Sequence, residues 1–175
     1  MTNMNLEPLN KYHAEELFSV LKDEKIYTYI PENPPESSGE LSEKFERLAE
    51  GAPIHLSQIW LNFAIYNKNL KEYIGTVQAT IYSKDLKASI AYVLPSKYWG
   101  KGYAQQAVTE MINILISNYK IKMFHAYIDT RNIKSIKLVE RLGFKKIGFE
   151  KNADFFKGST SDEYIFALKT EEWNK

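Results

Sequence analysis

A glycine-bearing loop that runs into a helix carries the residue types suited to binding an anion. It extends from Pro95 to Ala104, contains Gly100 and Gly102, and is followed by apolar residues at helical spacing. Glycines let a backbone lie close against a ligand, and a helix N-terminus offers unpaired N–H groups and the positive end of its dipole. The loop is therefore predicted to bring several backbone N–H groups to a helix N-terminus, where they favour an anion, most often a phosphate.

Two common phosphate-binding patterns do not fit this loop. A P-loop needs Ser or Thr after Gly-Lys, whereas Gly100-Lys101 is followed by Gly102. A dinucleotide-binding fingerprint needs a small residue three positions after Gly102, where Gln105 stands. An ordinary glycine-rich turn before a helix remains the alternative interpretation.

Composition narrows the class of protein. The 175 residues are 44% hydrophobic and 26% charged, which favours one globular domain over 1–175. The net charge of +1 gives no electrostatic argument for nucleic-acid binding. The sequence has no cysteine, and His13, His55 and His125 lack metal-ligand spacing, so we expect no metal. Without a membrane-spanning apolar run or a signal-peptide pattern, we expect no membrane partner and a cytoplasmic location.

The N-terminal third predicts one strand and two helices. The strand is expected over Asn5–Leu9, followed by a helix capped by Asn10. The second helix is expected to begin at Ser38 or Ser42. The proline-rich stretch Tyr27–Gly39 predicts a loop between the two helices.

The remaining sequence mixes strands and helices, so we expect an α+β fold. Gly75 marks a bulge or a close backbone approach, and Asn152–Ser161 predicts a polar loop. The nearly continuous apolar run of 88–94 favours a strand covered on both faces. Strands are expected over 59–66, 72–82, 88–94, 123–129, 144–150 and 164–168, and helices over 104–118 and 132–142.

The stretch from Asp129 to Phe144 is the most specific motif of the chain. Asn132 and Ser135 are three residues apart at a helix start and therefore share one face, and Gly143 follows the last helical turn. Asn-x-x-Ser followed by Glu-Arg-Leu-Gly-Phe resembles a segment of the GNAT (GCN5-related N-acetyltransferase) superfamily. The earlier Tyr-Trp-Gly-Lys-Gly-Tyr-Ala stretch resembles its RimJ/RimL-like branch, and the two motifs stand in the family's order.

This resemblance implies a mixed, mostly antiparallel, twisted sheet of about seven strands with flanking helices. Its two central strands, here those ending at Leu94 and Asp129, would splay apart, with the cosubstrate acetyl-CoA in the gap. The main chain of Val93 and Leu94 would pair with the pantetheine arm. The implied cofactor-binding residues are Val93, Leu94, Trp99, Gly100, Lys101, Gly102, Tyr103, Ala104, Asn132 and Ser135.

The implied activity is transfer of an acetyl group to a primary amine, on a protein N-terminus or a small molecule, by direct attack in a ternary complex. The loops Tyr27–Gly39 and Asn152–Ser161 would flank the acceptor, and the protein would be a monomer or homodimer. A GNAT-fold module that binds CoA without turnover is the alternative. Acidic residues suited to meeting a cationic amine, or else simply solvated, are Glu32, Glu36, Asp154, Asp162 and Glu163.

Several departures from the family pattern concern catalysis. Trp99 stands at the Gln/Arg position that opens the family's phosphate loop. Val139 stands where many members carry a tyrosine that protonates the leaving thiolate, and Ser89 where the branch often has glutamate. Ser135 is therefore the predicted catalytic proton donor. The alternatives for acid or base are Tyr92, Tyr127 and His125.

Overall fold

Strands and helices alternate along the chain much as the sequence predicts. The structure, a computed structural model, describes residues 3–174. Short 3-10 turns cover Glu24–Tyr29, Ile54–Leu56, Ser83–Asp85, Ser96–Tyr98 and Thr170–Glu172. The main elements are β1 (Met4–Pro8), α1 (His13–Leu21), α2 (Ser38–Ala49), β2 (Gln58–Asn67), β3 (Glu72–Tyr82), β4 (Lys87–Val93), α3 (Tyr103–Tyr119), β5 (Met123–Asp129), α4 (Ile133–Leu142), β6 (Lys145–Phe156) and β7 (Ser159–Lys169).

The seven strands form one mixed sheet in the order β1-β2-β3-β4-β5-β7-β6. Its neighbours are antiparallel except β4 and β5, which run parallel. That parallel pairing covers only Lys87–Ser89 against Met123–His125. Beyond this point the two strands separate, so the predicted splay between the central strands is confirmed.

The two faces of the sheet carry different helices. Ala64 and Ile65 are neighbours on β2 and therefore point to opposite faces. Ile65 packs into a core with residues of α3 and α4, whereas Ala64 packs with residues of α1 and α2. At the end of β4, Tyr92 packs against the first core and Val93 against the second. The gap beyond β4 is thus bordered by one helix pair on each face.

The β6–β7 hairpin corrects one prediction. The polar loop expected over Asn152–Ser161 is wrong, because β6 extends to Phe156 and β7 begins at Ser159. Lys157 and Gly158 form a two-residue turn with positive φ values of 52° and 78°. Both central residues of a type I′ hairpin turn have positive φ. Lysine is not among the residues favoured there, so the turn was not recognised.

Two smaller predictions also fail. Asn10 does not cap α1, which begins at His13, but its Oδ1 accepts a hydrogen bond from the Tyr12 backbone at 2.9 Å. The β4 strand is not covered on both faces, since Ala91 is exposed beside the gap.

The second helix begins at Ser38, one of its two predicted starts, with Ser37 as its N-cap.

Gly75 lies against the end of β4. Its φ is 154°, and a Cβ built there would stand 2.1 Å from the carbonyl oxygen of Val93. The β2–β3 register also shifts between Ile65 and Tyr66, next to Gly75. The two interpretations of Gly75, bulge and close approach, are therefore both correct.

We expect Gly75→Ala to lower the free energy of unfolding by more than about 2 kcal/mol, because the new methyl group must displace the β4 backbone at a strained φ. Urea denaturation measures the change. The matched variant is Gly39→Ala in α2, where the nearest atom to a Cβ is 3.7 Å away. That variant should leave stability unchanged or raise it by up to about 1 kcal/mol. Equal losses in both proteins would contradict the explanation.

Candidate functional site

The loop before α3 turns twice into the left-handed region, at Gly100 (φ 74°) and Gly102 (φ 78°). No heavy atom of the described chain lies within 4 Å of a Cβ built on either glycine. Gly102 is the N-cap of α3, and within residues 3–174 no side chain caps the helix. The amides of the first turn, from Tyr103 and Ala104 onward, are therefore available to an anion.

Aromatic side chains hold this loop in place by hydrogen bonds and ring contacts. Trp99 Nε1 donates a hydrogen bond to the Leu94 carbonyl oxygen at 2.8 Å and so joins the start of the loop to its middle. The buried Tyr98 donates from its hydroxyl to Glu72 Oε1 at 2.5 Å. Its ring contacts that of Tyr103, with centroids 6.0 Å apart. Trp99 thus serves the shape of the loop, at the place where the family pattern has Gln or Arg.

Lysine side chains give the loop positive charge. Lys134 Nζ, from the first turn of α4, lies 3.9 Å from the Trp99 ring centroid. Lys97 Nζ lies 4.6 Å and Lys101 Nζ 6.0 Å from the Tyr98 ring centroid. Lys101 belonged to the predicted site, whereas Lys134 was missed because only the fold brings α4 beside the loop.

Asn132 and Ser135 lie together at the start of α4. Asn132 is the N-cap, and its Oδ1 accepts a hydrogen bond from the Ser135 backbone at 3.2 Å. Capping engages one oxygen and leaves the amide NH₂ group of Asn132 for a ligand. Gly143 ends the helix with a φ of 96°, as predicted.

The hydroxyl of Tyr92 is the unusual polar group of this region. Its oxygen is buried and has no hydrogen-bond partner among the described residues. Burial raises the pKa of Tyr92 to about 12, and the nearby hydroxyl of Ser135 opposes that rise. A buried polar atom without a hydrogen-bond partner requires an explanation. A ligand that binds in the gap beside Ser135 would provide the missing partner.

The other two acid–base alternatives lie elsewhere. Phe124, Ala126 and Ile128 of β5 point into the core with α4, so His125 and Tyr127 point to the opposite face. The two rings stack with centroids 6.3 Å apart. Burial and the charge of Lys87 lower the pKa of His125. The structure therefore brings Tyr92, but neither His125 nor Tyr127, to Ser135.

Asp129 anchors the connection between β5 and α4. Its buried carboxylate accepts hydrogen bonds from Arg131 N, Nε and Nη2 at 2.8, 2.9 and 2.6 Å. It also accepts one from Ser161 Oγ at 2.7 Å. Burial acts to raise the pKa of Asp129, but the hydrogen bonds from Arg131 and Ser161 outweigh it and lower that pKa. The network fixes the turn that presents Asn132.

A cavity of about 220 Å³ lies on the face that carries α1 and α2. Its lining includes Val93 at the end of β4 and Thr76 and Gln78 of β3. Side chains of α2 and of the segment after α1 complete the walls. Its charged lining residues are Glu32, Glu40 and Lys44. The end of β4 therefore has this cavity on one face and the Tyr92–Ser135 pair on the other.

The five predicted acidic residues do not form one group. Glu32 lines the cavity, whereas Glu36 is exposed nearby. The other three, Asp154, Asp162 and Glu163, belong to the β6–β7 hairpin. Burial, followed by the negative charges of neighbouring carboxylates, raises the pKa of Glu163.

Solved structures with this arrangement of sheet and helices include acetyltransferases of the GNAT family, which places the chain in the GNAT fold class. An acetyltransferase of Bacillus anthracis has a TM-score of 0.84 at 19% identity over 98% of this chain and 97% of that one. A spermidine N-acetyltransferase of Vibrio cholerae, solved with CoA and spermine, has a TM-score of 0.80 at 19% identity, over 97% of both chains. At these identities the likeness shows the fold alone.

The chain belongs to the GNAT acetyltransferase family, since the family described as Acetyltransferase (GNAT) domain matches residues 3–145. A relative named "Uncharacterized N-acetyltransferase p20", from Bacillus licheniformis, is 32% identical over 112 residues. That match spans 63% of this chain and 63%, less than two thirds, of the relative. The Escherichia coli [ribosomal protein uS5]-alanine N-acetyltransferase is 28% identical over 116 residues, covering 63% of this chain and 58% of the enzyme. The resemblance to the RimJ/RimL-like branch is thereby confirmed.

Neither a membrane-spanning helix nor a group of metal-binding side chains is found among the described residues. No helix within residues 3–174 has both the length and the apolar surface to cross a bilayer. In the same residues, no three His, Asp or Glu side chains are grouped so as to hold a metal ion.

We expect Asp129→Asn to lower the free energy of unfolding at neutral pH by about 2 kcal/mol, because hydrogen bonds to a buried charge are lost. The folded-state pKa of Asp129 is lowered. Its stabilisation is thus complete above the unfolded-state pKa of about 3.9 and lost as the pH falls through the folded-state pKa.

Urea denaturation of the two proteins should therefore show a difference that is constant from about pH 7 to about pH 5 and shrinks as the pH falls further. Glu171→Gln, which breaks an exposed ion pair of 3.7 Å, is the control and should change stability by less than about 0.5 kcal/mol. A pH-independent difference for Asp129→Asn would contradict this account.

Proposed function

We propose that the protein transfers an acetyl group from acetyl-CoA to a primary amine. One observation carries the proposal: the uncapped start of α3, the start of α4 and the splayed end of β4 meet at one place. Membership of the GNAT family supports the same activity. The location in the cytoplasm, the lack of a metal, and a monomeric or homodimeric state stay predictions.

The residues present fit acetyl-CoA. The amides from Gly100 to Ala104 would hold its pyrophosphate, with Lys101 and Lys134 adding positive charge. The splayed main chain of Val93 and Leu94 and the amide of Asn132 would hold the pantetheine arm. The unpartnered Tyr92 hydroxyl is the orphaned buried group that such a ligand would satisfy. When bound, acetyl-CoA supplies the acetyl group as a thioester.

In the overall reaction a C–N bond forms and a C–S bond breaks, while the amine loses one proton and the sulfur gains one. Backbone N–H groups near Val93 and Leu94 stabilise the negative charge that develops on the carbonyl oxygen, and one such donor is typically worth about 3 to 4 kcal/mol. Ser135 gives a proton to the sulfur and regains one from solvent, while the amine releases its proton to solvent. In the complex, the Tyr92 hydroxyl, which stays protonated at neutral pH, would donate a hydrogen bond to Ser135 Oγ and accept one from the ligand.

The cavity beside Val93 is our proposed site for the acceptor. Of its two carboxylates, Glu40 already accepts a hydrogen bond from the Glu36 backbone at 2.7 Å, and Lys44 adds a positive charge. A polyamine needs several free carboxylates, whereas one amino group needs little more than Glu32. We therefore expect the amino terminus of a peptide that begins with a small residue such as alanine to be a better acceptor than spermidine.

Gly102→Trp tests the activity and the donor site together. A Cβ at Gly102 would meet no atom within 4 Å, so the indole adds the strain of a side chain at a φ of 78° but no clash at its Cβ, and it overlaps the proposed pyrophosphate. We expect at least a tenfold loss of acetyl-CoA affinity by calorimetry. Release of free thiol with an alanine-initiated peptide should fall in parallel.

Gly51→Trp is the matched control, because Gly51 also has a positive φ, of 84°, and open space. It should bind acetyl-CoA as the wild-type protein does. Equal affinity in both variants would contradict the donor site. Tight binding without thiol release across peptides and small amines would instead favour a CoA-binding module without turnover.

A double-mutant cycle tests the Tyr92–Ser135 pair. Ser135→Ala should lower kcat by about 10²-fold, as for loss of a proton donor. Tyr92→Phe keeps the packed ring and should lower kcat by about tenfold, and the KM for acetyl-CoA should rise because the hydroxyl that the ligand would satisfy is lost. Because Tyr92 acts through Ser135, the double variant should be no slower than Ser135→Ala. Multiplying losses would show that the two hydroxyls act independently.

A further inference from the structure

Lys157, at the apex of the β6–β7 hairpin, binds a distant segment of the chain. Its Nζ donates hydrogen bonds to the main-chain carbonyl oxygens of Tyr27, Ile30 and Glu32, the last two at 2.8 and 3.0 Å. An ammonium group has three N–H donors, so these contacts use all of them. We call residues 24–35 the strap.

The second half of the strap has few other polar contacts. In the described chain, residues 30–35 make no backbone–backbone hydrogen bond. The hydroxyl of Tyr27 donates to the Leu21 carbonyl oxygen at 2.8 Å, which holds the preceding 3-10 turn to α1. Lys157 therefore provides the main polar attachment of the strap's second half.

The three residues that Lys157 binds also line the cavity of about 220 Å³ beside Val93. Tyr27, Ile30 and Glu32 give their carbonyl oxygens to Lys157 and also form part of the cavity wall. The position of that wall thus depends on a lysine that does not itself line the cavity.

Asp23, directly before the strap, binds the loop that follows β4. Asp23 Oδ1 accepts a hydrogen bond from the Lys25 backbone at 3.1 Å, and its Oδ2 accepts one from the Ser96 backbone at 2.5 Å. Ser96 belongs to the loop that leads from β4 to Gly100. The strap therefore joins the anion-binding loop at one end to the β6–β7 hairpin at the other.

We propose that Lys157 is a positioning residue that determines acceptor affinity by fixing the strap as one wall of the acceptor cavity. The assignment of the cavity rests on the proposed function. The attachment of the strap by Lys157 does not, so the two are tested separately. Loss of the ammonium group frees three carbonyls and lets the wall move away from a bound acceptor.

The test variant is Lys157→Met, which keeps an unbranched apolar stem and removes the donors. Lys151→Met is its control, since Lys151 is exposed on the same hairpin and no hydrogen bond or ion pair of its side chain occurs within residues 3–174. Lys157→Arg keeps the charge and donors. Thermal unfolding establishes that each variant is folded.

The first readout does not depend on activity. Glutamyl endopeptidase, with fragments identified by mass spectrometry, measures cleavage after Glu24 and Glu32 in the strap. We expect about tenfold faster cleavage in Lys157→Met, wild-type rates in Lys151→Met and an intermediate rate in Lys157→Arg. Cleavage of Lys157→Met within twofold of wild type would overturn the attachment.

The second readout is steady-state kinetics with an alanine-initiated peptide and acetyl-CoA. In Lys157→Met the KM for the peptide should rise about five- to tenfold, with the KM for acetyl-CoA and kcat within about twofold. Equal increases in both KM values would overturn the acceptor-specific role. If the wild-type protein acetylates no tested amine, the proposed function fails while the cleavage result still decides the attachment.

Discussion

The early end of the pairing between β4 and β5 is the constraint on which the site depends. Three residue pairs join these parallel strands, and the remainder of each strand has no partner in that direction. Gly75 explains how β4 is held, because the lack of a side chain lets the Val93 carbonyl lie directly against β3, on the side away from β5. The gap beside the unpaired end of β4 is therefore open to both faces of the sheet. Tyr92 and Val93 point to opposite faces, so one side of the gap carries the Tyr92–Ser135 pair and the other carries the cavity.

Much of the fold could be predicted from local sequence signals. Predictions were correct where the residue type is typical of one local role. Gly143 ends a helix, Asn132 begins one, and Gly75 permits a close approach between strands. Both strands of the β6–β7 hairpin were predicted, but its tight turn was missed because Lys157 adopts a positive φ that its side chain does not favour. The extended backbone on both sides of Lys157 is stabilised by cross-strand pairing that a polar, exposed sequence does not reveal.

The candidate site likewise contains residues that local sequence patterns predict and residues that only the fold brings together. The glycine-bearing loop before α3 and the Asn132–Ser135 pair were predictable because glycine spacing and helix starts are local patterns. Lys134, Asp23 and Lys157 act across the fold, and the contacts of Lys157 span 125 to 130 positions. A lysine or an aspartate in a polar stretch of sequence carries no local signal of such contacts. Tyr92 was only one of three alternatives until packing showed which face of its strand it occupies.

The two-residue turn of the β6–β7 hairpin also limits how this region can change in evolution. Adding one residue to each arm moves the apex by about 3.3 Å and turns successive side chains to the other face. A lysine displaced in this way no longer reaches carbonyls at hydrogen-bonding distance. Exchanges of single side chains are therefore easier to accommodate here than insertions or deletions, and a relative with a longer hairpin must hold the corresponding segment by different contacts.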